Sequence, residues 1–405
     1  MGKQTQVPER GGRLSWQRIL LGAFFIAFVW LIVSQFNEVE KLARTLAQGQ
    51  WQWVLAAAVL QVVYYLVFTG TYQAAFYTLG IKRKLLELVP VTLGSLFVNV
   101  VTPTASTAGT ALFVDDAARR GHSPARAATA VLLQLVADFS AFLLVLVVGM
   151  AILFIEHDLQ IYEVISAAIL VLLTAALAGV LLLGVWRPGA VASLLAWVQS
   201  SVNRVGGWFK RPDLLDADWA HNNAVEFTAA SQAVFEQPAR LARLLAITLL
   251  AYAVDLSSLY VIFLAFGQPI GFGPLVAGFA VGILFWIVSP IPQGIGLVEG
   301  KMALTYTSLG VPSETATIVS LAFRGLTFWL PLLLGFVLIQ RTRTFGGRER
   351  SLAEAWSVRL AAFLTAAMGV INVLSTVTPS LASRLTIIET YTPLMVQRGG
   401  HLTAA

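Results

Sequence analysis

Long apolar runs separated by short charged segments dominate the chain. Since the hydrocarbon core of a bilayer requires about 20 apolar residues of helix, these runs predict seven full transmembrane helices, at residues 19–36, 53–79, 126–155, 160–186, 241–266, 314–340 and 360–378. The first run follows four basic residues and is too long for a typical signal-peptide core. We therefore expect it to be retained, with residues 1–18 in the cytoplasm.

Two further apolar segments, 85–112 and 275–300, are interrupted near their middles by proline and glycine. Proline breaks the helical hydrogen-bond ladder, and unpaired backbone groups at membrane depth must be buried in protein or face a watery cavity. Each segment is therefore either a re-entrant hairpin or a kinked helix followed by an interfacial loop. The residues that interrupt the two segments are Pro103, Gly109, Pro290, Pro292, Gly294 and Gly296.

Composition places the chain in a membrane. Of 405 residues, 57% are hydrophobic and 12% are charged, whereas a soluble domain carries about 25% charged residues. We exclude a water-soluble enzyme and expect an all-α polytopic integral membrane protein. The absence of cysteine excludes disulfides and thiolate chemistry. In a membrane protein, the positions of the basic residues that give the net charge of +6 indicate topology. No nucleic-acid partner is expected.

The placement of the basic residues favours the hairpin interpretation. If both broken segments are hairpins, 21 Lys and Arg residues lie on the cytoplasmic side and five lie outside, in agreement with the positive-inside rule. This topology gives a cytoplasmic loop at about 187–240 and, at 341–405, a basic loop, a C-terminal transmembrane helix and a tail. Within the cytoplasmic loop, residues 190–209 alternate large apolar with small or polar residues, which predicts an interfacial amphipathic helix.

The transmembrane domain, residues 19–340, contains an internal repeat with shared spacings. Gly80 precedes Pro103 by 23 residues, and Gly267 precedes Pro290 by the same number. Three full spans separate the starts of the two copies, so we expect the copies to have opposite orientations. Inverted repeats with broken helices are the architecture of many secondary transporters. The copies cover about residues 51–155 and 241–340.

Among the charged residues of the predicted spans, three lie well away from the span ends and are the clearest intramembrane charges: Asp138, Asp255 and Arg324. A charge near the bilayer centre costs at least ~2.5 kcal/mol, and such residues usually face a cavity or a partner. A functional interpretation makes Arg324 the cation that holds a lipid phosphate, with Asp138 or Asp255 as its counter-charge when the site is empty. A structural interpretation makes the same residues a buried Asp–Arg pair that fixes the two repeats together.

The hairpins supply further candidates. Glu299 opens the returning half of the second hairpin, where it is either a helix cap or a gate that contacts a cationic headgroup. The glycines of the hairpins permit tight turns, and exposed amides there could meet an anionic headgroup. We find no enzyme signature such as HExxH or a dinucleotide-binding glycine motif. No metal site or cofactor is therefore expected.

The stretch from Ser289 to Glu299, followed by Gly310, Arg324, Trp329, Pro331 and Gly335, resembles the lysylphosphatidylglycerol synthase transmembrane family. This family covers the flippase-like membrane half of the bacterial multiple peptide resistance factor and stand-alone relatives. The first repeat, with Asn99, Pro103, Gly109 and Asp138, resembles the other half of the family domain more weakly. Together the resemblance covers about residues 15 to 340.

The resemblance implies a protein of the bacterial cytoplasmic membrane that binds an anionic or aminoacylated phospholipid and moves it between leaflets. Its site would include Arg324, Asp138, Asp255, Glu299 and Asn99. The chain differs from many family members at Thr110, where they carry an acid; its own acids come later, at positions 115 and 116. No synthase domain precedes Ala405, so we do not expect an enzyme. The alternative is a membrane partner that presents lipid to a separately encoded synthase or glycosyltransferase, and assembly into a homo-oligomer stays open.

Overall fold

The computed structural model describes residues 49–101, 107–208, 215–289, 294 and 296–339, and within these ranges the secondary structure is entirely helical. The helices are α1 (Trp51–Thr78), α2 (Leu85–Val101), α3 (Thr107–Ala118), α4 (Pro124–Ile155), α5 (Ile161–Trp186), α6 (Pro188–Trp208), α7 (Trp219–Phe235), α8 (Pro238–Ala265), α9 (Phe272–Val288), α10 (Leu297–Ser308), α11 (Ser313–Arg324) and α12 (Leu330–Ile339). A π-helical turn, Gly325–Trp329, joins α11 to α12. The expected all-α membrane fold is confirmed.

Five helical stretches in the described part of the chain are long and apolar enough to cross a membrane: α1, α4, α5, α8 and the run from α11 into α12. They coincide with the five predicted spans of this region to within a few residues. Large apolar side chains such as Val147 and Leu172 are exposed on their outer faces, as lipid-facing positions require. The predicted spans 19–36 and 360–378, with the segments 1–18 and 341–405, lie outside the described residues.

The second broken segment forms an antiparallel hairpin. Gly278 on α9 faces Tyr306 on α10, and Gly282 faces Met302, so residue numbers rise along one limb as they fall along the other. The close approach of these side chains to the two glycines packs the limbs together over most of their length. This contact excludes a kinked helix followed by an interfacial loop.

The first broken segment is also a hairpin. Near its tip, Asn99 on α2 contacts Gly109 on α3. At its base, Glu87 near the start of α2 pairs with Arg120, just after the end of α3, at 3.3 Å. The limbs are therefore antiparallel, as in the second hairpin. The prolines of the two tips lie outside the described residues: Pro103, Pro290 and Pro292.

The helix boundaries confirm the internal repeat. Helices α1 and α8 are both 28 residues long, α2 and α9 are both 17, and α3 and α10 are both 12. Each helix from α8 to α11 follows its counterpart in the first copy at a nearly constant distance along the chain. Gly80 and Gly267, which follow α1 and α8, both adopt positive φ, at 77° and 69°, a conformation that glycine adopts without strain.

The two repeats have opposite orientations, as their first helices show. At one end of the α1–α8 contact, the Gln50 backbone N–H donates to the Ala265 carbonyl at 2.8 Å. At the other end, the Arg240 guanidinium donates to the Tyr77 carbonyl at 3.2 Å. Residue numbers therefore run in opposite directions along the whole contact. This packing is antiparallel, as an inverted repeat requires.

Each hairpin packs against the last helix of the other repeat. A Cβ atom placed on Gly149 of α4 would lie 2.6 Å from the Ala280 Cβ of α9, and one placed on Gly335 of α12 would lie 2.3 Å from the Leu93 carbonyl oxygen of α2. Ala280 and Leu93 are each the ninth residue of their helix, so the two contacts are equivalent. Glycine lets the backbones approach this closely, and each hairpin is thereby attached to the opposite repeat.

The predicted cytoplasmic loop is mostly helical. Leu194 and Trp197 on α6 are exposed on one side, while Asn203 on the other side makes two hydrogen bonds with the Leu215 backbone ahead of α7. An exposed apolar face on a helix that also packs against protein is typical of an interfacial helix. The helix predicted at 190–209 is confirmed for its described part.

Candidate functional site

A largely buried ion pair joins the second hairpin to α11. Arg324, the last residue of α11, donates from Nε to the Glu299 Oε1 of α10 at 3.0 Å, and the two side chains are only 11% and 16% exposed. The other carboxylate oxygen of Glu299 accepts from the Gly296 backbone N–H at 2.7 Å. Glu299 is therefore both the cap of α10 and the counter-charge of Arg324.

This arrangement corrects the predicted counter-charge. Asp138 or Asp255 was expected to pair with Arg324, but the partner is Glu299, because the hairpin brings the start of α10 beside the end of α11. The two aspartates accept hydrogen bonds from neutral groups instead. The Tyr252 hydroxyl donates to Asp138 at 3.3 Å, and the Gln61 amide donates to Asp255 at 3.1 Å.

Both of these hydrogen bonds cross the boundary between the repeats. Asp138 lies near the middle of α4 in the first repeat, and its donor lies on α8 in the second. Asp255 lies near the middle of α8, and its donor lies on α1 in the first repeat. Asp255 is 6% exposed and Gln61 is fully buried. The carboxylates predicted to be functional therefore lie at the interface between the repeats, where a relative movement of the repeats would change their hydrogen bonds.

The π-helical turn after Arg324 has a local cause and a partner. Pro331 has no N–H to donate to the Thr327 carbonyl four residues earlier, as an α-helix would require. The Tyr65 hydroxyl of α1 donates to that carbonyl at 2.8 Å. Single π turns inside α-helices are frequent at functional sites. Here the π-helical turn begins directly after Arg324, the residue predicted to bind the lipid phosphate.

Sequence reasoning missed the two tyrosines that cross between the repeats. Tyr65 and Tyr252 are each the fifteenth residue of their helix, α1 and α8. Their partners, Thr327 and Asp138, are likewise each the fifteenth residue counted from the start of α11 and of α4. Applying the repeat spacing to the tyrosines of the predicted spans would have found this pair. It also shows that the counterpart of Asp138 is Thr327, one turn beyond Arg324.

The remaining predicted residues of the first hairpin have structural roles. The Asn99 side-chain oxygen accepts from the Gly109 backbone N–H at 2.7 Å and so joins the two limbs. A Cβ atom on Gly109 would lie 2.3 Å from the Ser95 carbonyl oxygen, which explains why glycine is needed there. In the second hairpin, Gly294 and Gly296 have φ of 64° and 80°, which also favours glycine.

The acids at positions 115 and 116 both form ion pairs at the base of the first hairpin, and that of Asp116 reaches the segment before α2. Asp116 is 1% exposed and pairs with Arg83 at 2.9 Å, which lies on the segment between α1 and α2. Asp115 pairs with Arg119 one turn along the chain at 2.8 Å. A buried charge needs such a partner. Across the part of the chain that the structure describes, no group of three His, Cys, Asp or Glu side chains is placed to hold a metal ion.

Comparison with known proteins identifies the fold family. The model of the lysylphosphatidylglycerol synthase TM region matches residues 17–335. The chain belongs to this family. The match contains nearly all of both repeats and every candidate residue named above.

Several archaeal relatives match most of the chain. A UPF0104 membrane protein of Pyrococcus horikoshii is 22% identical over 77% of this chain and 94% of its own length. One from Methanothermobacter thermautotrophicus is 23% identical over 79% of this chain and 93% of its own. One from Methanocaldococcus jannaschii is 20% identical over 77% and 91%. These relatives are similar to 77–79% of this chain, and their names record only a membrane protein.

We expect Tyr65→Phe to lower the free energy of unfolding by about 1–3 kcal/mol, because a buried carbonyl loses its donor. The affected carbonyl is that of Thr327, beside the candidate ion pair. Thermal unfolding in detergent measures the loss. The matched control is Tyr260→Phe, on the exposed side of α8, which should unfold like the wild type; equal stability of the two variants would contradict the role of the hydroxyl.

Proposed function

We propose that the protein is a lipid translocator, which binds an anionic or aminoacylated phospholipid between its inverted repeats and moves it between leaflets. The single observation that carries this proposal is the Arg324–Glu299 ion pair, held at 3.0 Å at the junction of the second hairpin and α11. Paired, hydrogen-bonded charges of this kind inside a membrane domain mark substrate pathways. Membership of a family named for lysylphosphatidylglycerol synthesis supports a phospholipid as the substrate.

The pair matches the headgroup of such a lipid. The guanidinium of Arg324 suits a phosphate, since its planar donors can bind two oxygens at once. The carboxylate of Glu299 suits an ammonium group, as in an aminoacylated headgroup. A lipid that carries both groups would replace the ion pair without leaving either charge buried alone. A lipid with phosphate alone would leave Glu299 to its second contact, the Gly296 N–H.

The proposed location is the cytoplasmic membrane with a cytoplasmic N-terminus, which the surplus of 21 basic residues on the inner side over five outside supports. The family resemblance implies a bacterial membrane, and the archaeal relatives extend the family beyond bacteria. We propose no synthase activity for this domain. Its proposed chemistry is the recognition and movement of lipid.

Reconstitution tests the proposal directly. In vesicles of phosphatidylglycerol and phosphatidylcholine with a trace of NBD-labelled phosphatidylglycerol, the protein should raise the fraction of label that external dithionite bleaches above that of protein-free vesicles. The double variant Arg324→Met with Glu299→Gln removes both charges and should abolish the gain. The control Arg126→Ala removes a basic residue that is exposed at the start of α4 and should transport like the wild type.

Two outcomes would decide against translocation. No gain with correctly folded wild-type protein would overturn the proposal. Binding of labelled phosphatidylglycerol without any change in its leaflet distribution would favour the other candidate, a membrane partner that presents lipid to a separately encoded synthase or glycosyltransferase. Such a partner would be expected to copurify with that enzyme.

A further inference from the structure

Asp138 and Asp255 have no role in the headgroup recognition proposed above, yet they lie near the middle of two transmembrane helices. Their hydrogen-bond donors are neutral: a tyrosine hydroxyl for Asp138 and a glutamine amide for Asp255. A buried ionised carboxylate without a cation is costly and takes up a proton instead. Each of these two carboxylates therefore needs a group that neutralises its charge.

The ionisable groups around Asp138 and Asp255 indicate what neutralises these carboxylates. Four phenols lie within electrostatic reach of one or both aspartates: Tyr64, Tyr65, Tyr72 and Tyr252. Arg324 is within electrostatic reach of Tyr65 and pairs with Glu299. Neither aspartate takes part in an ion pair among the residues that the structure describes. A proton is the simplest group that neutralises each one.

The two sites are also placed to gain and lose that proton as the protein moves. Each carboxylate belongs to one repeat and its donor to the other, so a shift of one repeat against the other changes both hydrogen bonds together. Tyr252 and Asp255 are three residues apart on α8 and thus lie on one helix face. The Asp138 and Asp255 sites therefore meet at the same face of α8.

We propose that Asp138 and Asp255 carry protons across the membrane as the repeats move and so couple lipid movement to the proton gradient. A hydronium ion on one side transfers its proton to the carboxylate, so that one of its O–H bonds breaks as the O–H bond of the carboxylic acid forms. When the site faces the other side, that bond breaks and water there accepts the proton. No further reactant is needed. Intramembrane carboxylates serve as proton relays in other pumps and transporters. The inference rests on the translocation proposed above.

The test uses the same vesicles with an imposed pH difference. We expect the rate at which NBD-phosphatidylglycerol changes leaflet to differ at least several-fold between the two directions of the gradient. Asp138→Asn and Asp255→Asn keep a side-chain oxygen and should each abolish that difference. The control Asp218→Asn changes an exposed carboxylate ahead of α7 and should leave the difference intact. A pH-sensitive dye inside the vesicles should report proton movement only when lipid moves.

A second measurement does not depend on transport. The infrared spectrum of the folded wild-type protein at neutral pH should contain the C=O band of protonated carboxylic acids. The difference spectrum between the wild type and each Asp→Asn variant should show that the variant has lost part of this band. Three results would overturn the coupling but leave translocation standing. The rate of lipid movement could be independent of the pH difference, it could depend on a sodium gradient instead, or lipid could move although the infrared band is absent. Absence of lipid movement in every gradient would overturn translocation and the coupling with it.

Discussion

We expect Glu299→Gln to lower the free energy of unfolding by about 3–5 kcal/mol, because removing one charge of a buried ion pair strongly destabilises the charge that stays behind. The charge left behind is Arg324, only 11% exposed. The substituted glutamine keeps an oxygen for the Gly296 N–H, so the helix cap survives and the loss reports on the pair alone. Thermal unfolding in detergent, compared with the wild type, measures it.

The double variant separates stability from function. Arg324→Met with Glu299→Gln removes both charges at once, and neutral side chains often replace a buried pair with little loss of stability. It should therefore recover most of the stability that Glu299→Gln loses, yet still fail to move lipid. If the double variant is no more stable than the single one, the two side chains do not act as a pair.

Gly109→Ala is expected to destabilise the first hairpin by about 1–3 kcal/mol or more, since an added methyl group in a closely packed site forces the backbone to move. The methyl would lie 2.3 Å from the Ser95 carbonyl oxygen and 2.4 Å from the Asn99 side-chain oxygen. It would therefore push apart the limbs that the Asn99–Gly109 hydrogen bond holds together. Loss of monodisperse protein on heating, and loss of lipid movement, would both report the change.

The second hairpin supplies the control for that substitution. Gly300 on α10 is exposed and an added Cβ there meets nothing within 4 Å. Alanine favours a helix over glycine by about 1 kcal/mol, so Gly300→Ala should be neutral or slightly stabilising. Equal losses at positions 109 and 300 would show that close packing at Gly109 is not the cause.

The fold was largely predictable from the sequence because its main determinants are local. Apolar length sets the spans, and proline and glycine set the breaks in the two hairpins. The spacing between Gly80 and Gly267 and between the two prolines already indicated a duplication. What the sequence could not show is which helices pack together. The contact of each hairpin with the opposite repeat depends on Gly149 and Gly335, and nothing in their local sequence distinguishes them from other glycines.

The candidate residues could be selected from the sequence one by one, but their pairing could not. The expense of intramembrane charge singled out Asp138, Asp255 and Arg324. The partner of Arg324 depends on how the second hairpin returns, which places Glu299 beside it only in three dimensions. The tyrosine pair was missed because tyrosine is common at membrane positions and carries no charge. Its repeat spacing was the available signal.

The duplication has a mechanical consequence. Consider a translocator with two identical repeats. Exchanging the conformations of the repeats would convert its inward-facing form into its outward-facing form, and because the two forms would have equal free energy, they would be equally populated. The Arg324–Glu299 pair breaks this equivalence, because the third residue of α10 is Glu299 whereas the third residue of α3 is Gly109. In the translocator proposed above, an ion pair that only one of the two matched hairpins can form would make one of these two forms more stable than the other.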